Sequence, residues 1–165
     1  MDAASILVRL SDILRLRSGP QDIPAGWRLA VVLSLAYLAE GFIADQILGD
    51  TDTAPRSLFA ISVQFVIIAF LLNLRHQASR LPQTLSALAG VGLIFGVFSI
   101  ILVYQADAQK SQPTLALVWF AVFLWSLAVD AHIYRRALST TLSTGMLVAV
   151  MIFASNFILI KAVFG

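Results

Sequence analysis

Five long apolar runs, at about residues 28–48, 57–74, 82–104, 114–134 and 141–163, constrain this chain more than any motif in it. Each holds about the 17–25 residues that a helix needs to cross the hydrocarbon of a bilayer. Only helices or closed barrels satisfy their backbone polar groups there, and unbroken runs of this length suit helices. With 165 residues, 59% of them hydrophobic and 12% charged, the chain has too little interior to hide these runs in water. Soluble domains carry roughly 25% charged residues. The expected fold class is an all-α membrane protein, with five transmembrane helices making one domain over residues 27–165.

Residues 1–26 are expected as a cytoplasmic amphipathic helix and linker. Ile6, Leu10, Ile13 and Leu14 recur at helical spacing, Arg9, Asp12 and Arg15 take other faces, and Gly19-Pro20 stops the helix. Such a helix either lies on anionic lipid with its arginines among the headgroups, which is the preferred expectation, or caps the cytoplasmic face of the bundle. The leader is long and charged and the first apolar run exceeds a signal-peptide core, so no cleaved signal is expected.

The basic residues set the expected threading. Eight of the eleven, Arg9, Arg15, Arg17, Arg28, Arg75, Arg80, Arg135 and Arg136, fall on one side of a five-span arrangement. Arg56, Lys110 and Lys161 fall on the other. Cytoplasmic loops are the basic ones, so the N-terminus is expected in the cytoplasm and the C-terminus outside, in an inner membrane. Loop 49–56 carries Gly49, Asp50 and Asp52, and loop 105–113 carries Asp107, Gln109 and Lys110. Trp27, Tyr104 and Tyr134 lie near span ends, where aromatic belts form, whereas Tyr37 and Trp125 lie deeper.

Acidic groups within apolar spans are expensive and point to function by default. Glu40, Asp45 and Asp130 are the three here. Asp45 lies near the outer end of its span. Asp130, about one turn inside the cytoplasmic boundary, is expected to pair or reach water within a face cluster of Arg75, His76, Asp130, His132, Arg135 and Arg136. Glu40 stands roughly 18 Å from the cytoplasmic edge at about 1.5 Å per residue, and Gln64 and Asn156 come out near 18–20 Å. The three are expected to meet. They would form either an interhelical hydrogen-bonded clamp, with Glu40 as the neutral acid, or a proton-coupled or ligand-binding site.

Gly90, Gly92 and Gly96 line the third span, with Gly92 and Gly96 four apart, and mark it as a central helix whose neighbours approach closely. Other chemistry has little support. There is no cysteine, which removes disulfides and thiolate ligands. His76 and His132 show no metal-ligand spacing, no serine sits in a nucleophile elbow, and no glycine-rich phosphate loop occurs. The formal charge of +2 is too small for a nucleic-acid surface.

Three segments carry a resemblance. Arg17-Ser18-Gly19-Pro20-Gln21-Asp22-Ile23-Pro24, Leu81-Pro82-Gln83-Thr84 and His132-Ile133-Tyr134-Arg135-Arg136-Ala137-Leu138 resemble a group of small proteobacterial inner-membrane proteins, over almost the whole chain. The five-span layout with a cytoplasmic N-terminus is similar to that of Yip-type membrane proteins, a likeness of layout only. The resemblance implies no activity, cofactor or site. Because all three segments fall on the cytoplasmic side, it suggests a partner there.

The expectation is a non-enzymatic accessory, scaffold or assembly subunit of a larger envelope complex, with no cofactor and no bound metal. The alternative is a small proton-coupled transporter or ligand-binding protein using Glu40. Expected partners are the lipid bilayer and a membrane protein or cytoplasmic-face protein, with self-association as a further option and nucleic acid excluded.

Overall fold

The computed structural model describes residues 3–48, 53–106 and 111–164. Gly49, Asp50, Asp52, Asp107, Gln109, Lys110 and the Asp45 side chain, all weighed above, lie outside the described residues. Six α-helices follow in order: α1 (Ala3–Leu14), α2 (Trp27–Leu48), α3 (Thr53–Leu74), α4 (Leu81–Tyr104), α5 (Pro113–Ala137) and α6 (Leu142–Phe164). Short 3-10 turns occupy Pro20–Asp22 and Ala78–Arg80. Helices α2 to α6 are the five expected spans, each long and apolar enough to cross a membrane, and no strand occurs among the described residues. The all-α, five-span architecture is present.

Prolines open α4 and α5 within their first turn, where the missing N–H costs nothing. Three helices stop in the same way at the same end of the bundle. Leu16, His76 and Ser139 after α1, α3 and α5 have φ of 60°, 55° and 48°. The next amide in each case returns to a carbonyl five residues back: Arg17 to Asp12 and Gln77 to Leu72 at 2.8 Å, Thr140 to Arg135 at 2.9 Å. Glycine normally takes this left-handed position. Non-glycine residues hold it here at a cost of roughly 1 kcal/mol each.

Helix α4 is the hub. Its residues from Thr84 to Val91 are all buried, and it meets α1, α2, α3 and α5. α2 packs most extensively on α4, and α5 on α6. The buried core sits toward the end formed by the start of α4 and the end of α5, with Ile68, Leu72, Ala87, Val129 and Ile133 at its centre. Toward the opposite end α4 opens outward and exposes Val97, Phe98, Ile101 and Tyr104. Arg75, Arg80, Arg135 and Arg136 lie at the end formed by the start of α4 and the end of α5, the basic end of the bundle.

The three expected glycines of α4 all meet neighbours, but they receive side chains rather than helix backbones. A methyl group on Gly90 would lie 2.8 Å from Leu10 Cδ2, and one on Gly92 2.9 Å from the Tyr37 ring. At Gly96 it would meet the Glu40 carboxylate. The closest helix-to-helix approach lies elsewhere. A methyl group on Gly145 of α6 would run into the backbone carbonyl oxygen of Ala131 on α5.

α1 is docked into the bundle. Leu10, Ile13 and Leu14 are buried, with Ile13 fully so, and Ile6 packs against them. Its outward side mixes exposed Leu7 and Val8 with exposed Arg9 and Arg15. A helix lying only on the lipid surface would leave Ile13 against lipid, so the preferred interfacial placement is corrected to a position against α4 and α5.

Candidate functional site

Side chains from α4 and α5 hold the leader by its backbone. The Trp125 indole Nε1 donates to the Leu14 carbonyl at 3.0 Å. His132 Nε2 lies 2.9 Å from the Ser18 carbonyl, and Gln83 Nε2 donates to the Ile23 carbonyl at 2.8 Å. Between these points Asp22 Oδ2 accepts from the Gly19 amide at 2.8 Å, which folds Gly19–Asp22 into a closed turn. A methyl group on Gly19 would lie 2.5 Å from Gln21 Oε1 and 3.0 Å from Arg136 Cγ, so the Gln21 side chain would have to move. The leader, the head of α4 and the end of α5 are far apart in the chain. They meet at one end of the bundle.

A fourth connection closes this junction. Arg80 Nη1 lies 3.3 and 3.2 Å from the carbonyls of Arg136 and Ala137 and 2.7 Å from Ser139 Oγ. It caps the free carbonyls at the end of α5 and holds Ser139 in its left-handed conformation.

The expected face cluster is split by this arrangement. Arg135 and Arg136 flank Arg80, and His132 is bound to the leader. Arg75 and His76 stay exposed at the end of α3. Asp130 faces the opposite way. It lines a cavity of about 120 Å³ inside the bundle with Gln64, Ser126, Tyr134 and Asn156. The physical reason is position around the helix: Ser126 and Tyr134, four residues to either side, share the Asp130 face, whereas His132 and Arg135 lie on other sides of α5.

The intramembrane trio is corrected as well. Gln64 Nε2 donates to the Tyr134 hydroxyl at 2.7 Å. Asn156 shares the cavity, and its buried Oδ1 has no hydrogen-bond partner. Glu40 does not join them: it packs over Gly96 on α4, one turn beyond the stacking of Tyr37 on Gly92. Equal depth placed the three at one level, but their helices point them in different directions.

The chain matches no protein-family model, no curated protein and no solved structure.

The geometry must therefore speak for itself. The interior cavity is rich in acceptors: the Asp130 carboxylate, Asn156 Oδ1 and the Gln64 carbonyl. A buried acceptor without a partner costs about 1–3 kcal/mol, and a polar cavity of this size has room for water to supply the donors. Among the described residues no group of three or more acidic, histidine or cysteine side chains could hold a metal. Tyr134 and Trp125 were missed from the sequence as members of either site. Tyr134 looked like a belt residue, yet it is 1% exposed. Its signal was its place four residues after Asp130, on the same helix face.

Proposed function

We propose that this chain is a non-enzymatic accessory or assembly subunit of an inner-membrane complex, and that its partner meets it at the basic end. The observation that supports this is the locked leader. Three side chains, Trp125, His132 and Gln83, take up leader carbonyls and turn a flexible terminus into a fixed face. A pre-organised face loses less freedom on binding. The threading with the N-terminus inside belongs to the same proposal and rests on the arginine bias. A reporter fused ahead of Met1 should behave as cytoplasmic and one fused after Gly165 as external. Cytoplasmic activity at both ends would remove the five-span threading.

A second reading draws on the acceptor-rich cavity, in which Asp130 rather than Glu40 would carry protons or a small cation. Complementation of a deletion strain separates the two. Under the accessory reading Asp130→Asn and Glu40→Gln keep the phenotype, because each amide preserves size and hydrogen bonding. Gly19→Val should lose it, since the new side chain displaces Gln21 and Arg136 at the end of α5 and disturbs the leader turn. The opposite pattern, with stable and inserted protein throughout, would move the function to the cavity.

A further inference from the structure

A cavity of about 450 Å³ opens at the basic end between the leader turn, the 3-10 turn before α4 and the α5–α6 connection. Its volume falls in the range of small-molecule sites, roughly 300–1,000 Å³. Arg80, Arg135 and Arg136 line it, together with Gln21 and Thr141. Among the described residues no carboxylate lines it. Asp22 on the leader does not line it, and its Oδ2 accepts from the Gly19 amide at 2.8 Å and from Gln21 Nε2 at 3.3 Å. Arg80 is held in place by the end of α5 through Nη1 and also lines the cavity. The described lining thus offers positive charge and hydrogen-bond donors without a carboxylate.

We propose that this cavity binds a phosphate group, and that the source is the headgroup of an anionic phospholipid. Arginine forks match phosphate oxygens in paired hydrogen bonds. Basic pockets between transmembrane helices suit anionic headgroups. The lipid source follows from the apolar lining residue. Leu142 lines the cavity, is 50% exposed and opens the apolar span α6. A phosphate seated on the arginines would therefore lie at the end of a membrane-spanning helix, where its acyl chains can enter the bilayer. The site does not depend on the accessory reading, because it needs no protein partner.

The test uses the full chain purified in a neutral detergent. Retention of added phosphatidylglycerol is read by native mass spectrometry, with phosphatidylcholine and inorganic phosphate as parallel probes. The variants are Arg135→Gln/Arg136→Gln and the charge-matched Arg9→Gln/Arg28→Gln, both checked for unchanged helicity and elution. Wild type and the Arg9/Arg28 variant should retain phosphatidylglycerol over phosphatidylcholine, and the Arg135/Arg136 variant should lose about tenfold or more of that retention. Arginine-dependent stabilisation by inorganic phosphate without phosphatidylglycerol retention would overturn the lipid source and assign the site to a soluble phosphate. Equal losses in both double variants, or none in either, would overturn the site itself. The first would show that only general charge attracts the lipid.

Discussion

Alanine at position 145 is expected to lower the melting temperature of the detergent-solubilised protein more than alanine at any other glycine of the bundle. Its methyl group would meet the Ala131 carbonyl oxygen, Arg135 Cβ at 2.9 Å and the Arg135 amide nitrogen at 3.1 Å. All three atoms belong to the α5 backbone or its first side-chain carbon, so none can rotate away. α5 and α6 must move apart, and overpacking of this kind costs about 1–3 kcal/mol. At Gly92 the obstacle is the Tyr37 ring, and at Gly96 it is the end of the Glu40 side chain, which can swing aside. At Gly26 nothing lies within 4 Å. The expected order of destabilisation is Gly145, Gly92, Gly96, Gly26. Equal melting temperatures for Gly145→Ala and Gly26→Ala would mean that α5 and α6 do not touch there.

Ile13→Asp is expected to release the leader. Ile13 is 0% exposed, and an aspartate there would be an unpaired carboxylate among Leu10, Leu14 and the α4 and α5 side chains. An uncompensated buried charge costs about 3–5 kcal/mol. The substitution also removes the apolar burial of Ile13 itself, about 1.5–3 kcal/mol, so the loss exceeds the roughly 3 kcal/mol that the Trp125, His132 and Gln83 bonds supply together. Undocking makes the backbone beside Arg9, Arg15 and Arg17 fit a protease active site. Limited trypsin digestion in detergent should then remove the leader quickly from the variant and slowly from the wild type. Ile13→Val, which keeps the apolar contact, should behave as wild type. Identical cleavage of the aspartate variant and the wild type would show that α1 is not held against the bundle.

The spans were legible because their information is one-dimensional. A run of apolar residues long enough to cross hydrocarbon specifies a helix and its ends without reference to neighbours. The rest needed directions around the helix axis. Gly90, Gly92 and Gly96 announced close contact, but nothing in their spacing said that Leu10, Tyr37 and Glu40 would fill the gaps. Gly145 was passed over because it lies near the start of a span, where a glycine looks like an end rather than a contact. Glu40, Gln64 and Asn156 were matched by depth alone, and depth does not distinguish sides of a helix. Asp130 was assigned to the arginines by distance along the chain. Its place around the α5 axis, shared with Ser126 and Tyr134, turns it into the bundle instead. The leader was hardest to place. Its apolar stripe of Ile6, Leu10, Ile13 and Leu14 fits a lipid surface and a protein groove equally well, and only the carbonyl bonds from Trp125, His132 and Gln83 decide between them.

The docking of the leader has a consequence for biogenesis. The chain emerges from the ribosome in order, and α1 leaves first. Its seat is built from α4 and α5, which appear only after two further spans have entered the membrane. Until then Leu10, Ile13 and Leu14 have no groove to fill, and the Leu14, Ser18 and Ile23 carbonyls lack their side-chain donors. The leader must wait at the membrane surface while more than a hundred residues are made, and early exposed apolar segments of that kind invite misassembly or chaperone capture. An insertion factor that shields the nascent N-terminus would matter most for this protein before α5 is complete.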